Sequence, residues 1–126
     1  MPLSAELALG LLAWSLVSLG SAVVGLYARP REFWRGFWCM SGLWGLIDGV
    51  IGWAGLATGP TPAAELASIL KLNGGLDLLY LVIGAVLLTR GKPVLRGFGL
   101  AIAGQGLFLL AFDVYYWLRA SVPDAG

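Results

Sequence analysis

Residues 63–89 read AAELASILKLNGGLDLLYLVIGAVLLT, an apolar run that nevertheless carries Lys71, Asn73 and Asp77. A helix crossing about 30 Å of hydrocarbon needs roughly 20 mostly apolar residues. This run is long enough, so it reads as a membrane-spanning helix with polar groups placed at depth. Three further runs of the same kind cover approximately residues 5–28, 36–57 and 94–119. The expected fold is therefore all-α, a polytopic membrane four-helix bundle made of two antiparallel hairpins, forming a single transmembrane domain over residues 1–126.

Composition supports the same class. Of 126 residues, 59% are hydrophobic and 12% charged, and the mean hydropathy is +0.84. Soluble domains carry about 25% charged residues, so this inventory cannot cover a water-facing surface. A net charge of +1 gives no long-range attraction to nucleic acid. With no histidine and a single cysteine, Cys39, the chain can form neither an internal disulfide nor a zinc or haem site built from those residues. No metal or cofactor is expected, and nothing in the pattern points to an enzyme.

The boundaries carry their own signals. Pro30, Pro62 and Pro93 sit where a first helical turn would begin, a position that tolerates the missing N–H. Thr61 is an expected N-cap, and Gly59-Pro60 an expected turn. The first run lacks a basic leader and carries Glu6, so it reads as a retained anchor rather than a secretory signal. Arg29, Arg31 and Arg35 follow the first span, and Arg90, Lys92 and Arg96 follow the third. The other side holds a mixed set, Glu6, Glu65, Lys71, Arg119 and Asp124. The positive-inside rule then places both hairpin loops in the cytoplasm and both termini outside, in a bacterial inner membrane. The segment from Arg31 to Arg35 is expected to lie on the inner leaflet as a short interfacial turn, its arginines meeting lipid phosphates.

A shift of about sixty residues lays Arg29 and Arg35-Gly36-Phe37 over Arg90 and Arg96-Gly97-Phe98, as in a parallel repeat of two hairpins. Small residues mark expected contacts between helices in lipid. Ser41, Gly45, Asp48, Gly52 and Gly55 form one stripe on the second span, answered by Ala8, Ser15, Ser18, Ala22 and Gly25 on the first. Trp34, Trp38, Trp53, Trp117, Tyr115 and Tyr116 fall near span ends, as interfacial belts do. Trp14 and Trp44 lie deeper.

Counting about 1.5 Å per residue from the inner arginines puts Asp48 and Asp77 roughly 18 to 20 Å in, near mid-membrane. Asn73 and Asp113 come out at about 25 Å, and Gln105 at about 14 Å. Asn73 and Asp77 are four apart and share a helix face with Tyr80. An aspartate at the bilayer centre costs about 2.5 to 3.5 kcal/mol on insertion scales, so it turns inward and finds partners. If Asp48 and Asp77 share a dry site, both cannot stay ionised. The expected polar set is Asp48, Asn73, Asp77, Gln105 and Asp113, binding a ligand or a proton. Lys71 and Asp113 are candidates for an outer ion pair, set against a lysine that simply snorkels to the headgroups.

The segments WGLIDG (44–49), LNGGLDLLY (72–80) and GQGLFLLAFD (104–113) resemble small four-helix bacterial integral membrane proteins of a family of unknown function. The resemblance implies a fold and a compartment, and it marks the same five polar positions. Three readings stay open: a small carrier or ligand-binding bundle, a structural or accessory subunit with the polar groups as helix-packing glue, and an intramembrane aspartyl hydrolase. The third lacks the Tyr-Asp and Gly-x-Gly-Asp flanks of known intramembrane aspartyl proteases, since Ile47 precedes Asp48 and Leu76 precedes Asp77. Expected partners are membrane lipid, a second copy or other membrane helices, and a small ligand or proton.

Overall fold

The computed structural model describes residues 1–122 and consists of four helices: α1 (Leu3–Tyr27), α2 (Glu32–Thr58), α3 (Ala63–Leu88) and α4 (Pro93–Ser121). Each is long and apolar enough to cross a membrane, and no strand occurs among the described residues. The class is all-α, and by length and composition the four helices suit a multi-pass membrane protein. Asp124, one of the charges expected at the terminal end, lies outside the described residues.

Two boundaries differ from expectation. Helix α2 begins at Glu32, so the segment from Arg31 to Arg35 is the cap and first turn of a helix and not a separate interfacial turn. Pro30 lies just ahead of it, Arg31 is extended, and Glu32 places a negative charge at the positive end of the helix dipole. Arg29, which adopts a left-handed φ of 53°, turns the chain out of α1. At α3 the N-cap is Pro62 rather than Thr61. The Thr61 backbone N–H instead donates to Ser4 Oγ at 3.0 Å and ties the α2–α3 loop to the start of α1. Pro93 does occupy the first turn of α4.

Helices α1 and α2 pack as one hairpin, α3 and α4 as the other, and the two hairpins meet mainly through α2 against α4. Among the described residues no Cα of α2 comes within 8 Å of one in α3. The close contacts occur in matched pairs. Gly36 lies against the Val94 carbonyl and Gly97 against the Phe33 carbonyl, and both 33/94 and 36/97 are 61 residues apart. Within the hairpins, Gly45 faces Ser18 and Leu19 while Gly106 faces Tyr80 and Leu81. Gly42 faces Ala22, and Gly84 faces Ala103. An offset of 61 relates α2 to α4, and an offset of 62 relates α1 to α3. This is the contact pattern of two like hairpins around a shared axis parallel to the helices.

The expected stripes bury except at one end of each, where Gly55 is exposed and Gly25 half-buried. Ser41, Gly45, Asp48 and Gly52 are buried on α2, with Ala8, Ser15, Ser18 and Ala22 on α1. Ser15 Oγ donates to the Gly45 carbonyl at 2.7 Å, which satisfies the hydroxyl locally. At the terminal end, Leu66, Leu70, Tyr116 and Ala120 form a buried cluster flanked by Leu3, Leu7, Phe112 and Trp117. Tyr116 is thus core and not belt, because its position on α4 faces α1 and α3. Trp38 likewise packs over Gly25 of α1. Trp34, Trp53 and Tyr115 remain exposed at span ends, where belt residues belong.

Candidate intramembrane carboxyl site

Helical periodicity explains why three acids converge. On α3 the buried residues are Leu66, Leu70, Asp77 and Gly84, separated by four, seven and seven positions, so they fall along one line. On α4, Gln105, Leu109, Asp113, Tyr116 and Ala120 form a similar line. Asp48 occupies the middle of the small-residue stripe on α2. Asp48 and Asp77 are only 2% and 3% exposed, and Asp113 7%.

All three side chains line one cavity of about 250 Å³, together with Asn73 of α3, Trp44 of α2 and Leu11 of α1. The carboxyls of Asp77 and Asp113 lie within hydrogen-bonding reach of each other. A bond between two carboxyl groups requires a proton on one of them. Asp48 is close enough to interact electrostatically with both. Two carboxyl oxygens, Asp48 Oδ2 and Asp77 Oδ2, are buried without a hydrogen-bond partner among the described residues. Each such orphan costs about 1–3 kcal/mol. No lysine or arginine lines the cavity, and no group of three His, Cys, Asp or Glu side chains among the described residues is arranged to hold a metal ion.

The site differs from expectation in two ways. Gln105 does not join the acids. Its side-chain oxygen accepts from Trp14 Nε1 at 2.9 Å and its nitrogen donates to Ser18 Oγ at 3.2 Å, which places it in a separate cavity of about 230 Å³ among α1, α2 and α4. It fastens α4 to α1. Lys71 does not pair with Asp113 either. Lys71 is exposed, and six residues on a helix rotate it about 120° away from Asp77. The ion pair at the terminal end joins Arg119 to Glu6 at 2.7 Å instead. Asn73 stays in the set as a half-buried cavity wall.

The apolar walls escaped the sequence reading. Ile47, Ile51, Ile69 and Leu76 of α2 and α3 line the same cavity and are partly exposed. Trp44 touches Tyr80 edge-on with ring centroids 4.9 Å apart, bridging the same two helices. No local signal separates such residues from ordinary lipid-facing aliphatics, because their role depends on α2 and α3 standing apart.

Comparison with known proteins gives a family and no activity. No curated protein and no solved structure matches the chain. Residues 10–114, which include the acids on α2, α3 and α4, match the family of unknown function DUF6992, and the chain belongs to that family.

Proposed function

We propose that the protein is a small non-enzymatic carrier or ligand-binding bundle in which Asp48, Asp77 and Asp113 hold a proton or a small ligand at mid-membrane, with Asn73 orienting it. The observation that carries this reading is that Asp48 and Asp77, each with one buried carboxyl oxygen left without a partner, line a cavity of about 250 Å³. Groups that serve packing alone find partners, because leaving them unmade is costly. The proposed setting is a bacterial inner membrane with both hairpin loops in the cytoplasm. Six of the chain's basic residues, Arg29, Arg31, Arg35, Arg90, Lys92 and Arg96, cluster at that end.

A structural role for the acids is the competing reading, and the approach of Asp77 to Asp113 favours it, since a bond between them would join α3 to α4. It leaves Asp48 without a purpose, and α3 and α4 already interlock through glycine. The deciding experiment compares the parent with Asp48→Asn and Asp77→Asn in proteoliposome flux and thermal-shift assays across a pH series. A pH-dependent response in the parent that both substitutions remove supports the binding site. Responses unchanged in both variants would return the acids to a packing role.

A further inference from the structure

The cavity wall between α2 and α3 differs from its counterpart between α1 and α4, although the matched contacts make the two gaps equivalent. At the α1/α4 gap, Trp14 stacks on Phe108 with centroids 3.7 Å apart, and Phe108 stacks on Phe112. Three aromatic rings fill it beside the acid chamber, and the cavity at Gln105 lies on the other side of Trp14, toward the arginine-bearing loops. The offset of 61 puts Ile47 and Ile51 of α2 in the places of Phe108 and Phe112, and the offset of 62 puts Leu76 of α3 in the place of Trp14. The bridging pairs also correspond: Gln105 with Ser18 on one side, Trp44 with Tyr80 on the other. Smaller aliphatic side chains thus stand where rings close the opposite gap. Ile47, Ile51 and Leu76 line the cavity, are each at least 40% exposed, and stand between helices whose backbones do not meet, which gives the chamber a way to the outer surface of the bundle.

Whatever enters by this route comes from among the acyl chains, and what it finds inside is acidic. Asp48 and Asp77 are more than nine-tenths buried, line a chamber with no basic side chain on its wall, and each keep one carboxyl oxygen, Oδ2, without a partner. An anion would meet three carboxyl groups, and a neutral hydrocarbon would leave both orphan oxygens unmade. A primary ammonium offers three donors to two open acceptors and supplies the missing charge. The chamber, small beside the roughly 300–1,000 Å³ of ordinary ligand pockets, holds such a head and the first part of its tail. The remainder of the tail lies in the apolar cleft.

We propose that the site takes a lipophilic amine, which enters sideways from the bilayer between α2 and α3 and places its ammonium group between Asp48 and Asp77. The proposal rests on the binding function assigned above and adds the ligand class and the route.

The test uses the full chain in phosphatidylcholine nanodiscs, with octylamine as the probe and octanol and octanoate as its neutral and anionic equals in length. Binding is read from intrinsic tryptophan fluorescence and thermal shift. Octylamine should bind at least about tenfold more tightly than either control, as a charge-assisted hydrogen bond in a dry site requires. Asp48→Asn should remove that preference. The double variant Ile47→Phe with Ile51→Phe copies the closed gap and should abolish binding while both acids remain. If that variant does not fold, Leu76→Trp, which copies Trp14, replaces it. Equal binding of octylamine and octanol, or full octylamine binding by a folded closed-gap variant, would overturn the proposal. Selective amine binding without flux would instead leave this site standing and refute transport, whereas a pH response lost in Asp48→Asn without amine selectivity would do the reverse.

Discussion

Asp77 and Asp113 lie within hydrogen-bonding reach across the α3–α4 hairpin, so the chemistry at either position bears on whether the other is satisfied. Asparagine at 113 still offers a donor to Asp77, whereas leucine offers none. Asp113→Leu should therefore be less stable than Asp113→Asn by about 1–3 kcal/mol, the cost of a buried polar group left without its partner. Reversible unfolding in mixed micelles measures the difference, and equal stability of the two variants would mean that the carboxyl contact contributes nothing. The polar members of this site were legible as residue types, because an acid in a lipid-facing run is expensive wherever it sits. Their pairing was only partly legible. Depth counting brought Asp48 and Asp77 together correctly, yet it also suggested Lys71 for Asp113, since depth ignores rotation about the helix axis. Gln105 illustrates the same gap: its partners Trp14 and Ser18 lie on α1, and no spacing within α4 reveals them.

The hairpin of α3 and α4 depends on backbone approach at Gly84 and Gly99. A Cβ on Gly84 would stand 2.7 Å from both the Ala103 nitrogen and the Gly99 carbonyl, and backbone atoms cannot swing aside. Gly84→Ala should cost about 1–3 kcal/mol, the range for forcing extra methyl groups into a packed interface. Gly74, in the LNGGLD segment that holds Asn73 and Asp77, meets nothing within 4 Å. Gly74→Ala should leave stability unchanged or raise it by up to about 1 kcal/mol through helix propensity. Thermal unfolding of the two alanine variants in one detergent checks the pair, and similar losses in both would show that close approach is not what Gly84 provides. The four spans were readable from hydropathy and length alone. Their ends were not, because Pro30 and Pro62 act ahead of their helices, Pro62 as the cap itself, while a proline in sequence marks only that a helix begins nearby.

The reciprocal contacts of Gly36 and Gly97 bring the two arginine-bearing loops to the same end of the bundle. Sequence could hint at this arrangement, since Arg35-Gly36-Phe37 and Arg96-Gly97-Phe98 repeat. It could not show that the two glycines meet, because nothing local to either hairpin encodes which helix of the other it will face. With both loops at one end, a single orientation must serve both, and the topology proposed above puts the basic residues of each on the cytoplasmic side. The consequence is accessible to thiol labelling in a Cys39→Ser background. Gly91→Cys lies in the α3–α4 loop with open space around it, and Pro60→Cys is exposed in the loop between α2 and α3. A membrane-impermeant maleimide added to intact spheroplasts should modify Pro60→Cys and spare Gly91→Cys until the membrane is permeabilised. The opposite pattern would invert the topology while leaving the bundle and its carboxyl chamber intact, since helix packing is indifferent to which aqueous phase lies at either end. Labelling at both positions in intact spheroplasts would instead break the link between the two loops, because residues 60 and 91 bracket α3 and a spanning α3 must separate them.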